Sequence, residues 1–119
     1  MNTDEILGDY QIIGTNQNDS KETYRGILTL TLSENGHINA KWLINKSQIQ
    51  TGIGFFKNNI LVINFEYQGD ENDTYKGLVI YKCITKEILE GFWYEEFGDP
   101  KYLGSENCFK IKNKSSLLN

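Results

Sequence analysis

Thr23-Tyr24-Arg25-Gly26-Ile27-Leu28 is answered further along the chain by Thr74-Tyr75-Lys76-Gly77-Leu78-Val79, and Ile38-Asn39-Ala40-Lys41-Trp42 by Leu89-Glu90-Gly91-Phe92-Trp93. One offset of 51 residues relates both pairs, so the two Tyr-x-Gly units and the two tryptophans share a register. Successive side chains of a strand point to opposite faces, and these segments alternate with that period. The pattern predicts an all-β fold in which a four-strand unit is written twice and closed into an eight-stranded antiparallel up-and-down barrel.

Working outward from the echo, eight period-two runs can be marked, near residues 8–13, 23–33, 37–44, 49–56, 59–66, 74–83, 87–94 and 104–111. Clusters of Gly, Asn, Asp, Ser and Pro separate them, including Ser33-Glu34-Asn35-Gly36, Lys57-Asn58-Asn59 and Gly98-Asp99-Pro100. No stretch carries helical periodicity. One domain over 1–119 is expected, with a core from about 8 to 111 and loosely held termini up to Leu7 and after Lys112.

Parity assigns the faces. Tyr24, Gly26, Leu28, Leu30 and Leu32 are expected inside, as are Ile38, Ala40, Trp42 and Ile44 in the third strand and Leu61, Ile63 and Phe65 in the fifth. The repeat adds Tyr75, Gly77, Val79, Tyr81, Leu89, Gly91 and Trp93. The opposite parity of the later strands is unusually apolar, with Ile60, Val62, Leu78, Ile80, Phe92 and Tyr94 joined by Phe109 and Ile111. An apolar outer patch of that extent predicts a homo-oligomer through these strands; a terminal segment folded across them is the other way to cover it.

A formal charge of −4 and a pI near 5.0 argue against a nucleic-acid partner, which asks for a basic face. No apolar run approaches the ~20 residues of a membrane-spanning helix, and the Met1-Asn2-Thr3-Asp4-Glu5 start shows no secretory signal, so a cytoplasmic protein is expected. A trimmed secreted chain would read alike. Cys83 and Cys108 lie in strands that are not neighbours in a meander, which favours two buried thiols over a bridge. No metal or cofactor motif is present. The single histidine, His37, falls at a strand start, which leaves no basis for a His-dependent triad, and no enzyme is expected.

Gly8-Asp9-Tyr10 resembles the Gly-x-Trp opening of the calycin-like barrels, the avidin-like and lipocalin-like proteins, and the strand count agrees. The resemblance implies an up-and-down barrel that binds small molecules inside and, in the avidin-like branch, associates through its outer wall. The avidin-like pattern has a ligand-binding Asn where this chain has Ile12, and an apolar side chain cannot supply the hydrogen bonds a ureido ring demands. The resemblance therefore does not extend to biotin.

Three candidate sites follow. Tyr10, Tyr24, Trp42, Tyr75, Tyr81 and Trp93 are expected to converge inside around Gly26, Gly77, Ala40 and Gly91, where small residues beside large ones either open a ligand cavity or receive neighbouring rings in a filled core. Connections after strands one, three, five and seven emerge at one rim, which collects Asp19, Glu22, Asp70, Glu71, Asp73, Glu95, Glu96 and Asp99 against Lys21, Lys46 and Lys101. Such a field draws cationic or neutral partners. Glu106 shares parity with Gly104 and Cys108; turned inward, it needs tyrosine hydroxyls or a ligand amine, and the alternative is the rim. The expected function is a non-catalytic binding module for a small amphipathic molecule in the barrel or a partner at its acidic rim. The alternative is a protein-interaction adaptor or inhibitor with a filled core.

Overall fold

A computed structural model describes residues 1–20 and 22–112. It contains a helical turn α1 (Thr3–Ile6) and eight strands: β1 (Gly8–Thr15), β2 (Thr23–Leu32), β3 (Ile38–Ile44), β4 (Gln48–Lys57), β5 (Ile60–Gln68), β6 (Thr74–Thr85), β7 (Ile88–Glu95) and β8 (Gly104–Lys110). Each strand pairs antiparallel with its sequence neighbours, and β1 pairs with β8 to close the ring. The Thr15 and Ser105 hydroxyls meet at 2.7 Å across that seam.

The turn chemistry sets the meander. Asn58 and Asn59 both adopt left-handed backbone (φ 52° and 61°), the geometry of the two-residue hairpin loop whose twist matches the flanking strands. Asparagine tolerates that region better than most residues because its short amide can bond locally.

The expected faces hold along most of the barrel: Leu28, Leu30, Ile38, Leu61, Ile63 and Leu89 are fully buried. Leu32 is a correction. It ends β2 beyond the last inward layer and is exposed, because parity fixes which way a residue points but not whether the wall still encloses it there. Cys83 and Cys108 are free, buried thiols with Leu89 of β7 registered between them. Two strand spacings put their backbones about 9–10 Å apart, too far for a disulfide.

The N-terminal residues, expected to be loosely held, are built into the fold. Asn2 caps α1 by accepting from the Glu5 N–H while the Glu5 carboxylate accepts from the Asn2 N–H. Ile6 is fully buried at the end of the barrel near the start of β1, the Tyr10 hydroxyl donates to its carbonyl at 2.7 Å, and Lys110 Nζ donates to the Glu5 carbonyl at 2.6 Å. Carbonyls that a single turn leaves open are thus satisfied by the barrel, and one end is plugged. The expected loose tail after Lys112 falls on 113–119, outside the described residues, as does Lys21 of the acidic rim.

Candidate functional site

The other end stays open. A cavity of about 340 Å³ enters among the connections that follow β1 and β3, near Asn16, Glu22 and Asn45, and runs down to Glu106. The rim expected to hold the longer loops is therefore the mouth. Its volume lies within the roughly 300–1,000 Å³ of small-molecule pockets.

Glu106 is the floor. It is 4% exposed and accepts three hydrogen bonds: Tyr24 Oη to Oε2 at 2.6 Å, Tyr81 Oη to Oε1 at 2.5 Å and Trp42 Nε1 to Oε1 at 3.0 Å. The register shows how two tyrosines reach one carboxylate. On one side Glu106 is paired with Gly14, which is paired with Tyr24; on the other it is paired with Gly91, which is paired with Tyr81. Each tyrosine must cross an intervening strand, and each crosses it over a glycine. A Cβ at Gly14 would stand 2.1 Å from Tyr24 Cζ, and one at Gly91 would stand 2.5 Å from the Tyr81 ring.

Two opposing effects act on the Glu106 proton. Burial disfavours the charged form, while the three donors favour it; burial prevails and the carboxyl is held above its usual range. Tyr24 and Tyr81 are raised in turn, first by burial and then by the neighbouring Glu106 charge, so both keep their protons as donors.

Aromatic rings form the walls. Trp42, Phe65, Trp93 and Tyr24 follow one another edge-to-face at centroid separations of 6.1, 6.3 and 6.4 Å. Trp93 lies against Gly104, where a Cβ would stand 2.0 Å from its indole, and donates to the Ser105 carbonyl at 3.3 Å. The two possibilities for the interior glycines are thus both realised: several receive rings, and a cavity remains above them.

The architecture is shared with solved barrels. One solved structure, described as a redesigned beta barrel, mFAP1, bound to DFHBI, superposes with a TM-score of 0.70 at 14% identity, over 90% of this chain and 96% of that one. EF1p2_mFAP2b bound to DFHBI gives a TM-score of 0.67 at 13% identity, covering 91% and 95%. No protein-family model and no curated protein matches the chain. At these identities the likeness is one of fold: an eight-stranded antiparallel barrel.

Of the residues singled out from sequence, Tyr24, Trp42, Tyr81, Trp93 and Glu106 line the cavity together. Tyr10 and Tyr75 do not, and both are corrections. Tyr10 points inward at the plugged end, where its hydroxyl is used by Ile6. Tyr75 stacks on Tyr67 at 5.4 Å near the mouth, with its ring against Gly69. The echoed pairs accordingly play unequal parts: Tyr24 serves Glu106 where Tyr75 does not, and Trp42 reaches the floor where Trp93 forms wall.

Three features escaped the sequence reading. Gly14 permits the Tyr24 contact. Tyr67 donates to Glu95 Oε1 at 2.5 Å at the mouth. Gln17, largely buried, donates to the Asp99 carbonyl at 2.9 Å and accepts from the Glu95 N–H at 2.9 Å, tying the β1–β2 connection to the β7–β8 side. Only the glycine had a readable signal, its opposition to Tyr24 once strands are numbered and paired. Among the described residues no group of three His, Cys, Asp or Glu side chains can hold a metal, and no helix is long and apolar enough to cross a membrane. His37 is exposed just before β3, apart from the cavity lining.

Proposed function

We propose that this chain is a calycin-like, non-catalytic binding barrel that holds a small amphipathic molecule between Trp42, Phe65 and Trp93 with its polar end toward Glu106. The observation that carries this reading is a one-ended cavity with aromatic walls and a single deeply buried carboxylate at its base. The lining is aromatic at depth and polar toward the mouth, where Asn16, Glu22, Asn45, Gln48 and Glu95 contribute. A concave site whose polar groups fix the orientation of a bound molecule is the usual build of a small-ligand pocket. The DFHBI-bound barrels lend support at the level of architecture. Glu106 is occupied by three donors, an arrangement suited to recognition more than to proton transfer. A filled-core adaptor is disfavoured by the cavity.

Trp42 and Trp93 report on occupancy. Screening small amphipathic compounds by intrinsic fluorescence should give saturable shifts that Tyr81→Phe weakens; a broad screen without any response, in a protein that melts cooperatively, refutes the reading.

A second reading concerns the outer wall. The register aligns Phe55, Val62, Ile80 and Phe92 in one row across β4 to β7, with Leu78 opposite Tyr94 in the next row. Phe92 is 62% exposed. Glu66 paired with Lys76 bounds the rows on one side, and Lys82, paired with both Ile60 and Glu90, on the other. An apolar strip with both charge signs at its edges can pair with itself about a two-fold axis, and we propose that a second copy covers it. Leu78→Lys with Ile80→Lys should give a folded monomer; an unchanged elution volume on a sizing column, or a wild-type protein already monomeric at high concentration, overturns this.

A further inference from the structure

We propose that the ligand of the cavity is an organic cation, a protonated amine carried on an aromatic or aliphatic body. The inference rests on the reading of the cavity as a binding pocket and names the chemistry that pocket selects.

Charge in the cavity has one sign. Glu22 and Glu95 stand at the mouth and Glu106 at the floor, and among the described residues no Lys, Arg or His lines it. An anion entering would meet three carboxylates with no partner. A cation would be drawn inward along the same field, the more strongly because the barrel wall is a poor dielectric.

The floor has three hydrogen-bond donors and no counter-charge. All three donors to Glu106 are neutral groups, two phenols and an indole. A carboxylate has about four acceptor positions, and Oε2 receives only Tyr24. An ammonium N–H at that remaining position would complete the set and bring the counter-charge that burial otherwise denies. Above it, Trp93, Phe65 and Trp42 line the cavity, and aromatic rings are the side chains whose quadrupole stabilises cations. The other titratable groups facing Glu106 are Tyr24 from β2, Tyr81 from β6 and Cys108 on its own strand, all raised and therefore neutral near pH 7. Glu106 alone changes charge at the floor, so cation affinity should climb with pH while the affinity of a neutral isostere stays level.

The test is calorimetric titration with matched probes on phenyl and naphthyl rings: an arylethylamine, the corresponding arylethanol and the corresponding arylpropanoate. The amine should bind about 10- to 100-fold more tightly than the alcohol, the range of a charge-assisted bond. Glu106→Gln, which keeps an acceptor for Trp42 and Tyr81, should abolish that preference and its pH dependence. Glu22→Gln with Glu95→Gln leaves the floor intact and should reduce amine affinity a few-fold at low salt only. Alcohol or propanoate binding as tightly as the amine overturns the cation inference and leaves the pocket reading standing. Amine preference that survives in both variants overturns the assignment to these carboxylates. No binding by any probe overturns the cation inference and the pocket reading beneath it.

Discussion

Gly14→Ala isolates the idea that a missing side chain lets Tyr24 reach Glu106. The new methyl would fall 2.1 Å from Tyr24 Cζ, and because that atom is the far end of a half-buried side chain, the ring can swing toward the cavity and relieve the clash. What is lost is the 2.6 Å bond to Oε2, worth about 1.5–3 kcal/mol for a charged acceptor. Alanine recovers about 0.5–1 kcal/mol of the backbone entropy a strand glycine forfeits. The net loss is about 1–2 kcal/mol, or roughly 3–8 °C in melting temperature at this chain length. Tyr24→Phe removes the same bond without new atoms, and adding Gly14→Ala to it should then cost almost nothing, since the ring is already free to move. The sign with pH follows from Glu106. Its raised pKa means that its contribution to stability is complete in acid and lost as pH rises through the folded value. Removing a donor that favours the charged form raises that value further, so mutant and wild-type melts should converge near pH 4 and separate by pH 8. Equal penalties for Gly14→Ala in the wild-type and Tyr24→Phe backgrounds, or a wider gap in acid than at pH 8, would refute the reasoning.

Three further outcomes are expected. Glu106→Gln removes a buried group that loses stability as it ionises, so its melting temperature relative to wild type should rise between pH 4 and pH 8; a falling difference would show that the three donors outweigh burial. Burial pushes the Cys83 thiol up to about 11 and Cys108 well above its usual value, so a colorimetric thiol reagent should find both unreactive in native protein and both reactive in denaturant; rapid native labelling would contradict their placement. Ile6→Ala should destabilise by about 2–5 kcal/mol in urea titrations, as for other buried aliphatic deletions, whereas a loss below ~1 kcal/mol would mean that α1 does not plug the barrel.

The strands were legible because a barrel wall must be apolar within and tolerates polar residues without, and Tyr24-x-Gly26-x-Leu28 or Ile38-x-Ala40-x-Trp42 can satisfy that in one register only. Parity left Glu106 either inward or at the rim, and the cost of burying a lone carboxylate named tyrosine hydroxyls or a ligand amine as its partners if inward. The structure places it inward on two tyrosines and an indole. Parity has no information about height along the barrel, however. Tyr10 and Tyr24 both point inward from neighbouring strands, yet one meets the plug and the other the cavity, a difference fixed by strand stagger. Helix α1 was invisible to periodicity because one turn has none, although its Asn2-x-x-Glu5 capping pair stands in the sequence. Gln17 had no signal at all, since its partners Glu95 and Asp99 lie 78 and 82 residues away.

Closure by β1 against β8 carries a consequence for how the molecule is made. Thr15 and Ser105 are 90 residues apart, so a chain synthesised from its N-terminus exposes two unpaired ladder edges until nearly the last strand arrives. The same late strand delivers Glu106, and until then the hydroxyls of Tyr24 and Tyr81 have no acceptor there. Chamber and ring are finished in a single event, so any compound that occupied the chamber would stabilise the closed ring over every chain that lacks its last strand.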